Sequence, residues 1–232
     1  MLDKQRQRVI EIIRSILPDD AIIIILSETG SRAFGWGSEK YDIDVRAVIA
    51  CQPYWDTFHI GEELFDTNCE ELKHFIRSVN YRYWTIFEDL SNPFYIDKRF
   101  DFQEFMDFCS AANIKNHWYT TATQLAQLKI SPTIRTALHC YRLIMTPLYF
   151  LDNGRVEINV RKQNEEYFHS EKFTTLADHY AKAEYPTIDW TPVFEELKSL
   201  DEQLKAKLSE RTDDLNTERY ADWKQRLIRD FY

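Results

Sequence analysis

Asp42 and Asp44 stand one residue apart in DIDVRAVIA (42–50), whose alternating apolar residues predict a strand. Side chains two apart on a strand share a face. Asp42, Asp44 and Arg46 therefore project together, while Ile43, Val45, Ala47 and Ile49 turn to the core. Two neighbouring carboxylates repel each other, which raises one pKa unless a cation lies between them. An all-oxygen donor set suits Mg²⁺ or Mn²⁺, and the ion keeps positions open for water and for substrate phosphates. Arg46 either neutralises these neighbours or touches phosphate.

The run AIIIIL (21–26) reads as a strand buried on both faces, and the polar, Gly-punctuated loop segment 27–42 that follows it carries Gly30-Ser31. A glycine in a strand-to-helix turn leaves backbone N–H groups free at a helix N-terminus, a favourable place for phosphate. The Ser31 hydroxyl adds a donor, and Arg32 either makes a charge-assisted phosphate contact or braces the carboxylates. A phosphate-gripping turn facing a metal-holding pair is what phosphoryl or nucleotidyl transfer requires, since that catalysis is mostly positioning and charge neutralisation. A lone D-x-D or Gly-Ser is weak, because surface strands and ordinary turns produce both. The joint pattern at this spacing carries the reading.

The stretch GSRAFGWGSEKYDIDVRAV resembles the G-S…D-x-D motif of the DNA polymerase β nucleotidyltransferase superfamily, and in its extended form the YcgL-type predicted nucleotidyltransferase family. That resemblance makes Ser38 a family match. It also implies a third carboxylate on a later strand. Asp56, Glu62, Glu63 and Asp66 are candidates; FDTNCEELKHFIRSVN (65–80) resembles the family's strand-then-helix, making Asp66 the match. SVNYRYWTIFEDLSNPF (78–94) is similar to a further family stretch and keeps Glu88 and Pro93, but has Tyr81 where the family has proline. The helix at 132–154 resembles, more loosely, one with spaced basic residues, matched by Arg135 and Arg142. The resemblance implies that Asp42 and Asp44 bind two ions, one carrying a nucleoside triphosphate. Asp66 shares the other ion and helps activate the attacking hydroxyl. Transfer of a nucleoside monophosphate, AMP first among them, would release pyrophosphate. The acceptor is unidentified: RNA, a protein or a small molecule.

The elements that must position these residues follow from pattern. An amphipathic helix is predicted over 2–17, strands over 21–26, 42–50 and 59–66, and helix from Cys69. Helices are then predicted near 102–128, 132–151, 165–183, 192–210 and 216–230. The expected class is α+β: a small mixed-sheet nucleotidyltransferase domain at 1–100, flanked by helices, then an all-helical domain at 101–232.

Composition narrows the partners. A net charge of −9 argues against broad polyanion binding. The four cysteines form no C-x-x-C pair and no secretory signal is visible, so a cytoplasmic protein with reduced thiols is expected. The longest apolar run is too short to span a bilayer, so no membrane partner is expected. The six histidines show neither H-x-x-x-H nor H-E-x-x-H spacing, so no zinc site is expected. Trp36, Tyr41, Trp84, Trp118 and Tyr119 are mostly core candidates, with stacking on a base the alternative for Trp36. Two alternatives stand beside the enzyme: an inactive or regulatory nucleotide-binding module, such as half of a toxin–antitoxin pair, and a nucleic-acid-binding protein without chemistry, which would need a basic stripe.

Overall fold

The computed structural model describes residues 3–38, 42–51, 57–62 and 65–232. Helix α1 (Asp3–Ile16) leads into β1 (Ile22–Thr29), a single helical turn α2 (Gly30–Ala33), and β2 (Ile43–Ala50). Strands β3 (Thr57–Glu62) and β4 (Phe65–Glu71) follow, then α3 (Leu72–Asn80), α4 (Trp84–Leu90), β5 (Pro93–Ile96) and α5 (Phe102–Met106). The remaining helices are α6 (Ala111–Ile130), α7 (Ile134–Asn153), α8 (Val160–Gln163) with a π-helical turn at Asn164–Phe168, α9 (Glu171–Ala181), α10 (Thr191–Ser209) and α11 (Thr217–Phe231). The class is α+β, with one small mixed sheet and many helices.

Among the described residues the sheet has the order β3-β4-β2-β1-β5. Strands β2 and β4 pair in parallel; the other neighbours are antiparallel. Val9, Ile13 and Leu17, on or just after α1, cover one face, where they meet Leu26, Ile43, Val45, Ala47, Ile49, Phe65 and Cys69. Ile24 interrupts the pairing of β1 with β2 as a bulge between Ile23 and Ile25. It lets both neighbours stay buried while the register shifts.

The chain divides into two compact units. One comprises residues 1–30, 42–110 and 215–232; the other comprises 31–41 and 111–214. The expected cut at 100 thus falls near 110, and α11 belongs with the sheet. The reason is an aromatic cluster. Trp223 of α11 lies 5.9 Å from Phe75 and 5.2 Å from Phe108 (ring centroids), and Phe87 stacks on Phe105 at 5.0 Å. The Tyr220 hydroxyl donates to the Ile76 carbonyl at 2.8 Å, tying α11 to α3. Tyr220→Phe leaves that buried carbonyl without this donor. It is expected to lower stability by about 1–2 kcal/mol, measured by urea unfolding. In the second unit α7 packs against α6, α9 and α10, and Gly154 ends it in the left-handed region at φ 69°.

Several boundaries move. β1 runs on through Ser27, Glu28 and Thr29, polar residues read as loop, because they pair with Arg46, Val45 and Asp44. The single strand expected at 59–66 is a hairpin of two, β3 and β4. Cys69–Glu71 stays extended in β4, and the helix starts only at Leu72, where the Glu71 side chain accepts from the Lys73 amide at 2.8 Å. The helix expected at 102–128 breaks at 107–110, and that at 165–183 opens with the π-turn. Strand β5 starts with Pro93, tolerated at the first position of an edge strand. Among the described residues no helix is long and apolar enough to cross a membrane.

Candidate active site

Parallel pairing of β2 and β4 sets Asp44 directly beside Asp66, and Asp42 lies two residues before Asp44. One ligand oxygen from each of Asp42, Asp44 and Asp66 lies within 4.8 Å of the others. Asp42 is exposed and the other two are half-buried. The donors are all hard oxygens and water can reach them, which fits Mg²⁺ or Mn²⁺ and not a thiolate- or imidazole-seeking metal. No other group of three or more His, Cys, Asp or Glu converges in this way among the described residues. Of the other candidates for the third carboxylate, Asp56 and Glu63 lie outside the described residues.

Gly30 is fitted to this cluster. Its φ is +73°, and a Cβ placed there would lie 1.7 Å from Asp44 Oδ2 and 2.6 Å from Asp44 Cβ. Backbone and carboxylate therefore approach more closely than any side chain allows. The adjoining Thr29 pairs with Asp44 across β1–β2, and its hydroxyl donates to Asp89 of α4 at 3.1 Å.

Arg46 lies on the same strand face as Asp44, and its Nη2 donates to Glu70 Oε2 at 2.6 Å. Glu70 is wholly buried. Neither Glu70 nor Asp89 was singled out from the sequence. The signal for Glu70 was present in Asp66, Asn68 and Glu70, which alternate along β4 on the face that carries the acids. Asp89 had no such signal, because only the fold brings α4 to the end of β1.

The remaining predicted residues fall in the second unit. Ser31 and Arg32 belong to α2, which is one turn long, so the expected helix N-terminus is not a full helix. Trp36 and Gly37 donate their amides to the Ser31 carbonyl, at 3.1 and 2.7 Å. A Cβ on Gly37 would lie 2.7 Å from Ser31 Oγ, so the chain before Ser38 folds tightly over the turn. The Val160 amide and the Arg161 Nε anchor this segment through the carbonyls of Phe34 and Gly35. Trp36 is buried against Phe34, His139 and Phe173. Arg142 lies over the Phe34 ring at 4.5 Å, while Arg135 is exposed on α7. The structure thus brings Arg142, and not Arg135, onto the segment that follows Gly30.

Burial pushes the His117 and His139 imidazoles down to about 4, and the charge of Arg142 adds to the effect. Both are neutral in the fold at pH 7, whereas in the unfolded chain each takes a proton near its ordinary value of about 6.5. The unfolded state therefore binds more protons between these limits, and stability falls as pH drops through that window. From pH 7 to pH 5 the expected cost is about 1–2 kcal/mol per imidazole. The melting temperature should decline over this range and decline less in His117→Gln/His139→Gln. Asp97 and Asp107, held below the usual carboxylate range by Arg99 and Arg219, titrate at lower pH and do not mimic the effect.

None of the four cysteines is in a disulfide. Burial pushes Cys69 and Cys140 up to about 12, which removes both as nucleophiles at neutral pH. No protein-family model and no curated protein sequence matches this chain.

Proposed function

We propose that the protein is a metal-dependent nucleotidyltransferase that moves a nucleoside monophosphate, AMP first among the candidates, from a nucleoside triphosphate to an acceptor hydroxyl. The observation that carries the proposal is the convergence of Asp42, Asp44 and Asp66 within 4.8 Å on the parallel pair β2–β4. The fit of Gly30 against Asp44 and the resemblance of the 30–94 stretch to the polymerase β superfamily support it. The expected fold assignments, a nucleotidyltransferase domain built on the sheet and a helical partner domain, belong to the same proposal.

Asp42 and Asp44 would hold divalent ions together with Asp66; when bound, those ions neutralise triphosphate charge and the charge of the leaving group. Asp66 accepts the proton of the acceptor hydroxyl. That oxygen forms the new bond to the α-phosphorus, the bond from the α-phosphorus to the bridging β-phosphate oxygen breaks, and pyrophosphate leaves with its electron pair. The resemblance makes Ser31, Arg32, Arg135 and Arg142 candidates for triphosphate contacts.

The test incubates the protein with each α-labelled nucleoside triphosphate, Mg²⁺ or Mn²⁺ and cell extract, beside Asp42→Ala/Asp44→Ala. Label moved only by the unaltered protein supports the proposal and identifies donor and acceptor class. An intact protein that binds neither metal nor nucleotide overturns it.

A further inference from the structure

Glu70 has no exposed surface, yet both of its carboxylate oxygens are engaged. Oε2 accepts from Arg46 Nη2 at 2.6 Å; Oε1 accepts from Ser78 Oγ at 2.8 Å and contacts His74 Nδ1. A buried ion pair is weak evidence of added stability, because desolvation offsets much of the attraction. What such a pair does fix is the position of its charges.

The position matters here. Arg46 is two residues from Asp44 on the same face, and its β4 neighbour Asn68 is two residues from Asp66. Diagonal neighbours in a sheet are about 7–8 Å apart, within reach of an arginine. A guanidinium released at residue 46 would find the three clustered carboxylates as nearby anions. Pairing with them would fill the site with an internal cation.

We propose that Glu70 is a positioning residue that holds the Arg46 guanidinium off Asp42, Asp44 and Asp66, keeping the cluster open to a divalent cation. The inference rests on the reading of that cluster as a cation site. It assigns to the pair of buried Glu70 and half-buried Arg46, one step along the strands, control over whether the site is accessible.

Mn²⁺ affinity of the full chain, read by titration calorimetry and by the free-ion paramagnetic resonance signal, tests it. Glu70→Gln keeps the shape and partners for Ser78 and His74 but removes the charge. It is expected to weaken Mn²⁺ binding by about tenfold or more. Glu70→Gln/Arg46→Met, which removes the freed guanidinium as well, is expected to recover wild-type affinity. A purely structural role for Glu70 predicts no such rescue, so a double variant as weak as Glu70→Gln overturns the proposal. So does a Glu70→Gln protein that binds Mn²⁺ as the wild type does, with the cation-site reading left intact. Wild-type protein that binds no Mn²⁺ removes that reading and this inference together. Should Glu70→Gln not fold, Glu70→Asp, shorter by one methylene, takes its place: weakened binding, recovered with Arg46→Met, is the expected result, and no recovery overturns the proposal.

Discussion

Asp44→Asn is expected to reduce nucleotidyl transfer by about a thousandfold or more, because an ion clamping the triphosphate supplies several kcal/mol and each decade of rate corresponds to about 1.36 kcal/mol. Asp44 is the centre of the cluster: Thr29 lies opposite it on β1, Asp66 beside it on β4, and Gly30 against its side chain. The same substitution has a second readout, in stability. Added Mg²⁺ or Mn²⁺ should then stabilise the wild type, by about 2.7 kcal/mol at a hundredfold excess over the dissociation constant, and leave Asp44→Asn unmoved. Activity assay and thermal melts with and without metal check both halves. A metal-independent wild-type melt would sink the cation site.

Gly30→Ala should nearly match that loss of activity through geometry alone. The new Cβ cannot be accommodated by rotating the Asp44 carboxylate, because it also meets Asp44 Cβ at 2.6 Å. Either β2 or the turn must shift. The positive φ costs an alanine about 1 kcal/mol, and overpacking adds about 1–3 kcal/mol. The expected result is a melting temperature lower by several degrees together with weakened Mn²⁺ binding. A Gly30→Ala protein with normal affinity would show that Asp44 does not need its present position.

The sequence made the acid pair readable because a strand's period of two is rigid. Once DIDVRAVIA was a strand, the shared face of Asp42, Asp44 and Arg46 followed. The third acid also lay on a strand, and its pairing partner turned out to be Asp44. Helix existence was legible from apolar spacing, as in α7 and α10. What periodicity could not reveal was pairing between distant segments. The return of α11 to the sheet-bearing unit depends on Trp223 meeting Phe75 and Phe108, residues more than a hundred positions away. Arg46 was left between two roles because its partner, Glu70, sits in a stretch expected to be helical, from Cys69 on, and not in a strand beside it. Polar strand ends such as Ser27–Thr29 were missed for the same reason: they look like loop until their neighbours are known.

The interleaved segments carry a consequence for biosynthesis. Every residue of the helical unit precedes residue 215, whereas the sheet-bearing unit needs α11 to finish its aromatic cluster. During vectorial synthesis the helical unit can therefore assemble first. The unit that carries Asp42, Asp44 and Asp66 waits for α11 to leave the ribosome, so a nascent chain stalled before α11 would leave Phe75 and Phe108 without Trp223.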